Sequence, residues 1–487
     1  MFKVKENKML LIFTICAIAF FGFFLKMNYS VDTYLLFASE NLGYVQEFIK
    51  SGRFITAFLF KILQFFRFTP ETMYVVSFII GIACTTFAIY TLYIILKKYI
   101  KSDFINAIIS IATIINPFII ELWLFAEMGI MMLSILACVL AFKHFDEYLE
   151  NNKKREIGLC IAFMLIALFS YQGTVAIFMA LSSISVILHS NKLKLFIKNT
   201  LIYFLCYGIP TIINFVVVML IGNKRVGGNY NFIQTISFIF NASNEQLFKG
   251  FGLYPKILFI LLYVLIVVGV IIYIIMLDKG TKQKTLDLLK YLYMLFITYF
   301  FTIATIIPQN VSSAVMFPRN SYAYGSLVGL SLIFVTTFTK TKKEIKYKNQ
   351  FIVAISIGVL IMEFIQFTNI GINRYIVNYM DKYIVYEIND KINKYENETG
   401  IKVENVAIYN LDSSSVFYPE INDMINISAK NEKMSGAAIL ELFMHRKLKE
   451  TQQNKDIYNK YFKDNNWSMF NLDQIVLEGK TMHWYLY

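Results

Sequence analysis

The chain has 487 residues, 57% of them hydrophobic, 17% aromatic and only 16% charged, with a mean hydropathy of +0.54. That balance excludes an ordinary water-soluble globular protein. The formal net charge of +13 does not point to nucleic acid, because the region from residue 370 onward carries 14 Lys and Arg against 16 Asp and Glu. The positive excess belongs to the apolar part, where loop topology and anionic head groups account for it.

A spanning helix needs about 20 mostly apolar residues. Stretches at 9–25, 73–96, 104–120, 128–142, 157–170, 175–188, 199–221, 257–277, 291–307, 321–339 and 350–368 predict roughly eleven spans. The first follows Lys3, Lys5 and Lys8 and lacks a small-residue cleavage site, so it is read as a retained helix rather than a signal peptide. Between the first two spans, residues 26–72 form a long loop. Within it Phe54, Ile55, Phe58, Leu59, Ile62 and Phe65 recur at helical spacing with Arg53, Lys61 and Arg67 interspersed, which predicts an interfacial amphipathic helix at 53–66 that lines an entrance for a lipid tail. From about 370 the pattern becomes that of a small α/β domain, with a helix at 375–398, a strand at Val403–Tyr409, a helix at 435–450 and a last strand near Trp484.

Cationic loops stay on the cytoplasmic side. With the N-terminus inside, the inside segments hold 22 Lys and Arg in 62 residues and the outside segments 10 in 106. The N-terminus is therefore expected in the cytoplasm of a multi-pass cell-membrane protein, and the domain 370–487 outside it. All five cysteines, Cys16, Cys84, Cys138, Cys160 and Cys206, fall in spans, so no disulfide framework is implied. The cytoplasmic loops are too short to fold a nucleotide site, which places any chemistry outside or within the membrane.

Ionisable residues at membrane depth are costly and mark function. Asp32 follows the first span. Glu121 and Glu127 flank the turn in Asn116-Pro117-Phe118-Ile119-Ile120-Glu121-Leu122-Trp123-Leu124-Phe125-Ala126-Glu127, Arg319 opens the tenth span, and Lys224 and Arg225 follow the seventh; all are expected on the outer face. Each also has a plain reading: an interfacial acid ordinarily caps a helix, and Arg53 or Arg319 can anchor a helix by snorkelling.

Asp32 with Gly52-Arg53 some twenty residues later, the run Asn116 to Glu127, Ser170-Tyr171-Gln172-Gly173 and Pro318-Arg319 together resemble the GtrII-type glucosyltransferase family over residues 9–340. The resemblance implies a GT-C-like α-helical polytopic fold and transfer of glucose from a polyprenyl-phosphate donor to a surface glycan acceptor. It implies Asp32 as base; with the charges above, Glu121 and Glu127 are further catalytic candidates and Arg53, Arg319, Lys224, Arg225, Tyr171 and Gln172 candidate substrate-binding groups. Many family members carry two adjacent acids in the first outer loop, whereas Thr33 follows Asp32 here. Inversion needs one carboxylate for the acceptor proton, and cations or a divalent metal for the leaving phosphate. No cofactor beyond such a metal is implied. A membrane O-acyltransferase would need a His at membrane depth, and His144 and His189 are read as cytoplasmic loop residues. A polysaccharide polymerase, or a flippase or transporter of lipid-linked glycan, would use the same outer face.

Overall fold

The structure, a computed structural model, describes residues 2–38, 43–222, 256–277, 280–304, 318–338, 348–410 and 433–486 apart from 466, 468 and 469, together with positions 233, 237 and 241. The chain divides into two compact units. The first comprises Met1–Gly22, Gln46–Trp123 and Glu127–Phe367, and the second Phe23–Val45, Leu124–Ala126 and Thr368–Tyr487.

Along the chain α1 (Phe2–Phe21) is followed, after the short α3 (Gly43–Lys50), by α4 (Phe54–Phe65), α5 (Pro70–Leu96), α6 (Asp103–Ile114), α7 (Met128–Asn151), α8 (Lys154–Ser170), α9 (Ala176–His189) and α10 (Leu193–Leu220). Then come α11 (Lys256–Met276), α12 (Thr281–Ala304), the short α13 (Tyr322–Gly325) and α14 (Leu327–Phe338). The starts are written locally. Thr69 caps α5 by accepting from Thr72 N–H, with Pro70 in the first turn where its missing N–H costs nothing. Ser102 caps α6 through Ile105 N–H. At the other end of α7, Asn152 takes the left-handed conformation, φ 57°, that closes many helices.

Among the described residues, seven helices are long and apolar enough to cross a membrane: Asn7–Leu25, Pro70–Leu96, Met128–Asn151, Gln172–His189, Leu193–Leu220, Thr281–Ala304 and Asn349–Thr399. The stretch expected as one straight span at 104–120 is instead a pair, Asp103–Ile114 and Pro117–Leu124, bent by 54°. Counted as one span it brings the number to eight. Its break has a plain cause: the residue before a proline disfavours helix, and Asn116 Oδ1 accepts Phe118 N–H at 3.0 Å to hold the turn. Trp123 closes this bend from inside, stacked on Phe21 with centroids 4.2 Å apart and edge-on to Phe78 at 5.6 Å. The remaining apolar stretches are also helical, in α8, α11 and α14.

The helix expected at 53–66 exists as α4, and the side that packs against protein is the one opposite the expected lipid-facing stripe. Thr56, Ala57, Phe60 and Leu63 are buried, whereas Phe58 and Phe65 are 65% and 81% exposed. Both faces are apolar, so periodicity alone does not tell inward from outward. His144 and His189, expected in loops, lie within α7 and at the end of α9 because those helices outrun their apolar cores.

In the second unit, α2 (Val31–Ala38) and the 124–126 segment pack with the C-terminal chain. The helix α15 (Lys348–Thr399) runs uninterrupted past the boundary expected near 370. Its 52 residues would measure about 78 Å, far more than the roughly 30 Å of a hydrocarbon core. A four-stranded sheet follows, with β1 (Asn405–Asn410), β2 (Lys449–Glu450), β3 (Ile475–Glu478) and β4 (Thr481–Leu486) in the order β2-β1-β4-β3. β1 is parallel to both neighbours, and β3-β4 is an antiparallel hairpin turned at Gly479, φ 56°. The expected helix at 435–450 is shorter, α16 (Lys433–Met444), and Lys449 and Glu450 pair as β2 instead.

Candidate functional site

The first unit brings four of the sequence-marked charges around one phenol. Arg53, Glu127, Glu121 and Arg319 all bear electrostatically on Tyr171. The Arg53 guanidinium lies over the Tyr171 ring, 4.7 Å from its centroid, and Arg53 Nη1 is 3.6 Å from Glu127 Oε1. On the other side, Arg319 donates from Nη1 to Glu121 Oε1 at 2.5 Å and from its backbone N–H to Glu121 Oε2 at 2.7 Å. The Tyr171 hydroxyl donates to Asn320 Oδ1 at 3.0 Å, which ties the two halves together.

Local backbone explains how these groups arrive. Gly52 holds φ 75°, a turn that an L side chain would strain, and any Cβ there would run into Val218. Gln172 Nε2 donates to Ser51 O at 3.0 Å and so fixes that turn just ahead of Arg53. Gly173 leaves room for Asn320, since a Cβ would sit 2.5 Å from its Oδ1. Gln172 therefore braces the arginine loop.

The burial pattern decides what the cluster can do. The carboxylates are sunk, with side-chain exposures of 5% for Glu127 and 3% for Glu121, while their partners Arg53 and Arg319 keep 21% and 17%. Two cations thus stand in front of two buried counter-charges. Arg53 Nε is buried and has no hydrogen-bond acceptor among the described residues, a cost unless water or a ligand oxygen supplies one. Such forked, pre-oriented guanidinia suit phosphate oxygens. Glu121 spends both oxygens on Arg319, so it reads as the holder of that arginine. Glu127 stands at the start of α7 without capping it by its side chain.

Asp32 belongs to the second unit, in the first turn of α2, half-buried and with no ion pair or hydrogen bond among the described residues. The backbone just before it is clamped: Asn378 Oδ1 accepts Tyr29 N–H at 2.8 Å, and Arg374 Nε and Asn378 Nδ2 donate to Tyr29 O at 2.9 and 3.0 Å. Thr33, the residue that follows Asp32, is buried and structural. Its Oγ1 accepts Ala126 N–H at 3.1 Å and bonds Ser30 Oγ at 3.0 Å. Lys224 and Arg225 lie outside the described residues.

Several polar residues escaped the sequence reading. Arg374, Asn378 and Asp381 are buried in the stretch read as the start of the soluble domain. Glu363, 1% exposed within an apolar run, has an Oε2 without a hydrogen-bond partner among the described residues. Asp146, buried at the far end of α7, accepts from Ser185 Oγ at 2.6 Å and Tyr99 OH at 3.0 Å. Among the described residues, the one trio with metal-ligand spacing is His144, Glu147 and Glu156, with ligand atoms within 4.8 Å of one another, and Asp32 is not part of it. An apolar cavity of about 560 Å³ lies among α11, α14 and the start of α15, lined by Leu265, Ile266, Val270, Val335 and Ile352 among others. Comparison with protein-family profiles and with curated proteins finds no match to the chain.

Proposed function

We propose that the chain is a membrane glycosyltransferase that moves a hexose, glucose in the family it resembles, from a polyprenyl-phosphate carrier to a surface glycan. The reading rests on one observation above all: two arginines, backed by buried glutamates, with Arg53 Nε lacking an acceptor among the described residues. In this reading the acceptor oxygen attacks the anomeric carbon as the bond to phosphate oxygen breaks. The acceptor proton passes to Asp32, the configuration inverts, and the polyprenyl phosphate leaves with its developing charge met by Arg53 and Arg319. Asp32 enters as base through the sequence resemblance; the geometry that supports the phosphate site is that of the first unit alone. Exposed Phe58 and Phe65 on α4, and the apolar cavity, are surfaces that suit an isoprenoid tail.

Purified protein supplied with a panel of lipid-linked donors should transfer from a polyprenyl-monophosphate hexose. Transfer only from a diphosphate-linked oligosaccharide would make it a polymerase instead, and no transfer from either would overturn the reading. The loop charges further predict a cytoplasmic N-terminus and an extracytoplasmic C-terminal domain. Protease added to intact spheroplasts should trim residues beyond 400. Protection there, with digestion only in inverted vesicles, would reverse the topology.

A further inference from the structure

The second unit holds a cleft of about 890 Å³, near the upper end of the roughly 300–1,000 Å³ typical of small-ligand sites. One wall is a single face of α15, where Glu387, Asp390, Lys391, Lys394 and Glu398 recur at three- to four-residue spacing with Tyr395. The rest of the lining comes from Tyr461, Asn465, Trp467, Leu472, Asp473 and β3.

Trp467 is the telling residue. Its indole is held by Tyr485 at 5.2 Å and Phe462 at 6.1 Å, yet it remains half-exposed and lines the cleft. The other two tryptophans, Trp123 and Trp484, are 0% and 2% exposed. A half-exposed aromatic ring, fixed by packing in a cleft that carboxylates and an amide also line, offers an apolar platform among hydrogen-bond acceptors. A pyranose has the matching shape, one apolar C–H face and a rim of hydroxyl donors.

Charge narrows the ligand. Four carboxylates line the cleft, those of Glu387, Asp390, Glu398 and Asp473, against two lysines. Lys391 Nζ is spent on the carbonyls of Leu472 and Ile475 at 2.6 and 2.7 Å, and Lys394 lies 4.0 Å from Glu398. Polyanions such as nucleic acid or uronic-acid polymers are therefore disfavoured, and a purely apolar ligand would leave the polar lining without partners.

We infer that this cleft is a glycan-binding site that stacks a neutral or amino-sugar pyranose on Trp467. Its identification as the holder of the acceptor rests on the transferase reading; the binding itself does not.

The test uses the full chain in detergent micelles, with cellohexaose, chitohexaose and maltohexaose as probes and a hexagalacturonate as the acidic control. At least one neutral hexasaccharide should quench tryptophan fluorescence saturably, and calorimetry should show the same affinity. Trp467→Ala should weaken that affinity about tenfold or more, a loss of about 1.4 kcal/mol, and Trp467→Phe should recover most of it. Should Trp467→Ala fail to fold, Asp473→Asn and Asn465→Ala, both at exposed positions, should each weaken binding several-fold. Absence of saturable binding by all three neutral probes, preference for the acidic hexamer, or unchanged affinity in the folded variants overturns the proposal. Glycan binding that survives when every lipid-linked donor fails sinks the transferase and leaves the cleft. Transfer without measurable glycan binding does the reverse.

Discussion

Asp32→Asn should lower hexose transfer by about 10²- to 10⁴-fold, the usual cost of removing a general base, while donor binding stays close to wild type. The substitution keeps the shape and removes the charge, and no ion pair in the described structure depends on this carboxylate. Folding should therefore be spared, which makes the variant a clean probe. Glu127→Gln is the rival arm, because Glu127 is the other sequence-marked acid whose carboxylate is not spent on two short bonds to one arginine. Single-turnover transfer with saturating donor separates the two. Wild-type turnover in Asp32→Asn with collapse in Glu127→Gln would move the base into the arginine cluster. A secondary check uses the clamp: Asn378→Ala removes three hydrogen bonds to the Tyr29 backbone and the Tyr34 hydroxyl, and should lower turnover through Asp32's position rather than through donor affinity.

Much of this architecture is legible in the residue types. The long apolar runs, the helix expected at 53–66, a C-terminal α/β region and the strand around Trp484 all have the period or length that their surroundings impose, although the change of pattern expected near 370 falls inside the helix that ends at Thr399. Other parts are not legible, for definite reasons. In an apolar helix packed on one side and facing lipid on the other, no polar stripe separates the two faces, so the residues of α4 do not say which of them is buried. The Asn116-Pro117 pair carries the signal for the bend, but the apolar residues on either side mask it as one span. Arg374 and Asn378 look like surface residues, and only their distant partner, the Tyr29 backbone, makes them structural. The same holds for Glu121 and Arg319, 198 positions apart: each stands out as a charge in an apolar chain, yet their mutual bond has no trace in local sequence.

Arg319→Met should cut transfer by about 10²-fold or more, the scale of removing one donor to a developing charge. It should also destabilise the protein, because Glu121 would be left 3% exposed without its main counter-charge. Breaking a buried pair from one side costs about 3–5 kcal/mol, whereas replacing both partners by apolar groups of similar size is often neutral. The double variant Arg319→Met/Glu121→Met should accordingly recover thermal stability in detergent but not transfer. That split distinguishes the two roles the arginine could have. If transfer returns with stability, the pair merely holds the helices together and the phosphate reading fails at this residue. Arg53 gives the complementary case, since its guanidinium is stacked on Tyr171 and is 3.6 Å from Glu127, beyond hydrogen-bond reach. Arg53→Lys keeps the charge but loses the planar fork and the stacking, so it should fold normally and still transfer poorly. Donor affinity should weaken more for the phosphate-bearing carrier than for the bare polyprenol. Equal weakening for both would mean that Arg53 supports the fold of its loop and takes no part in holding phosphate.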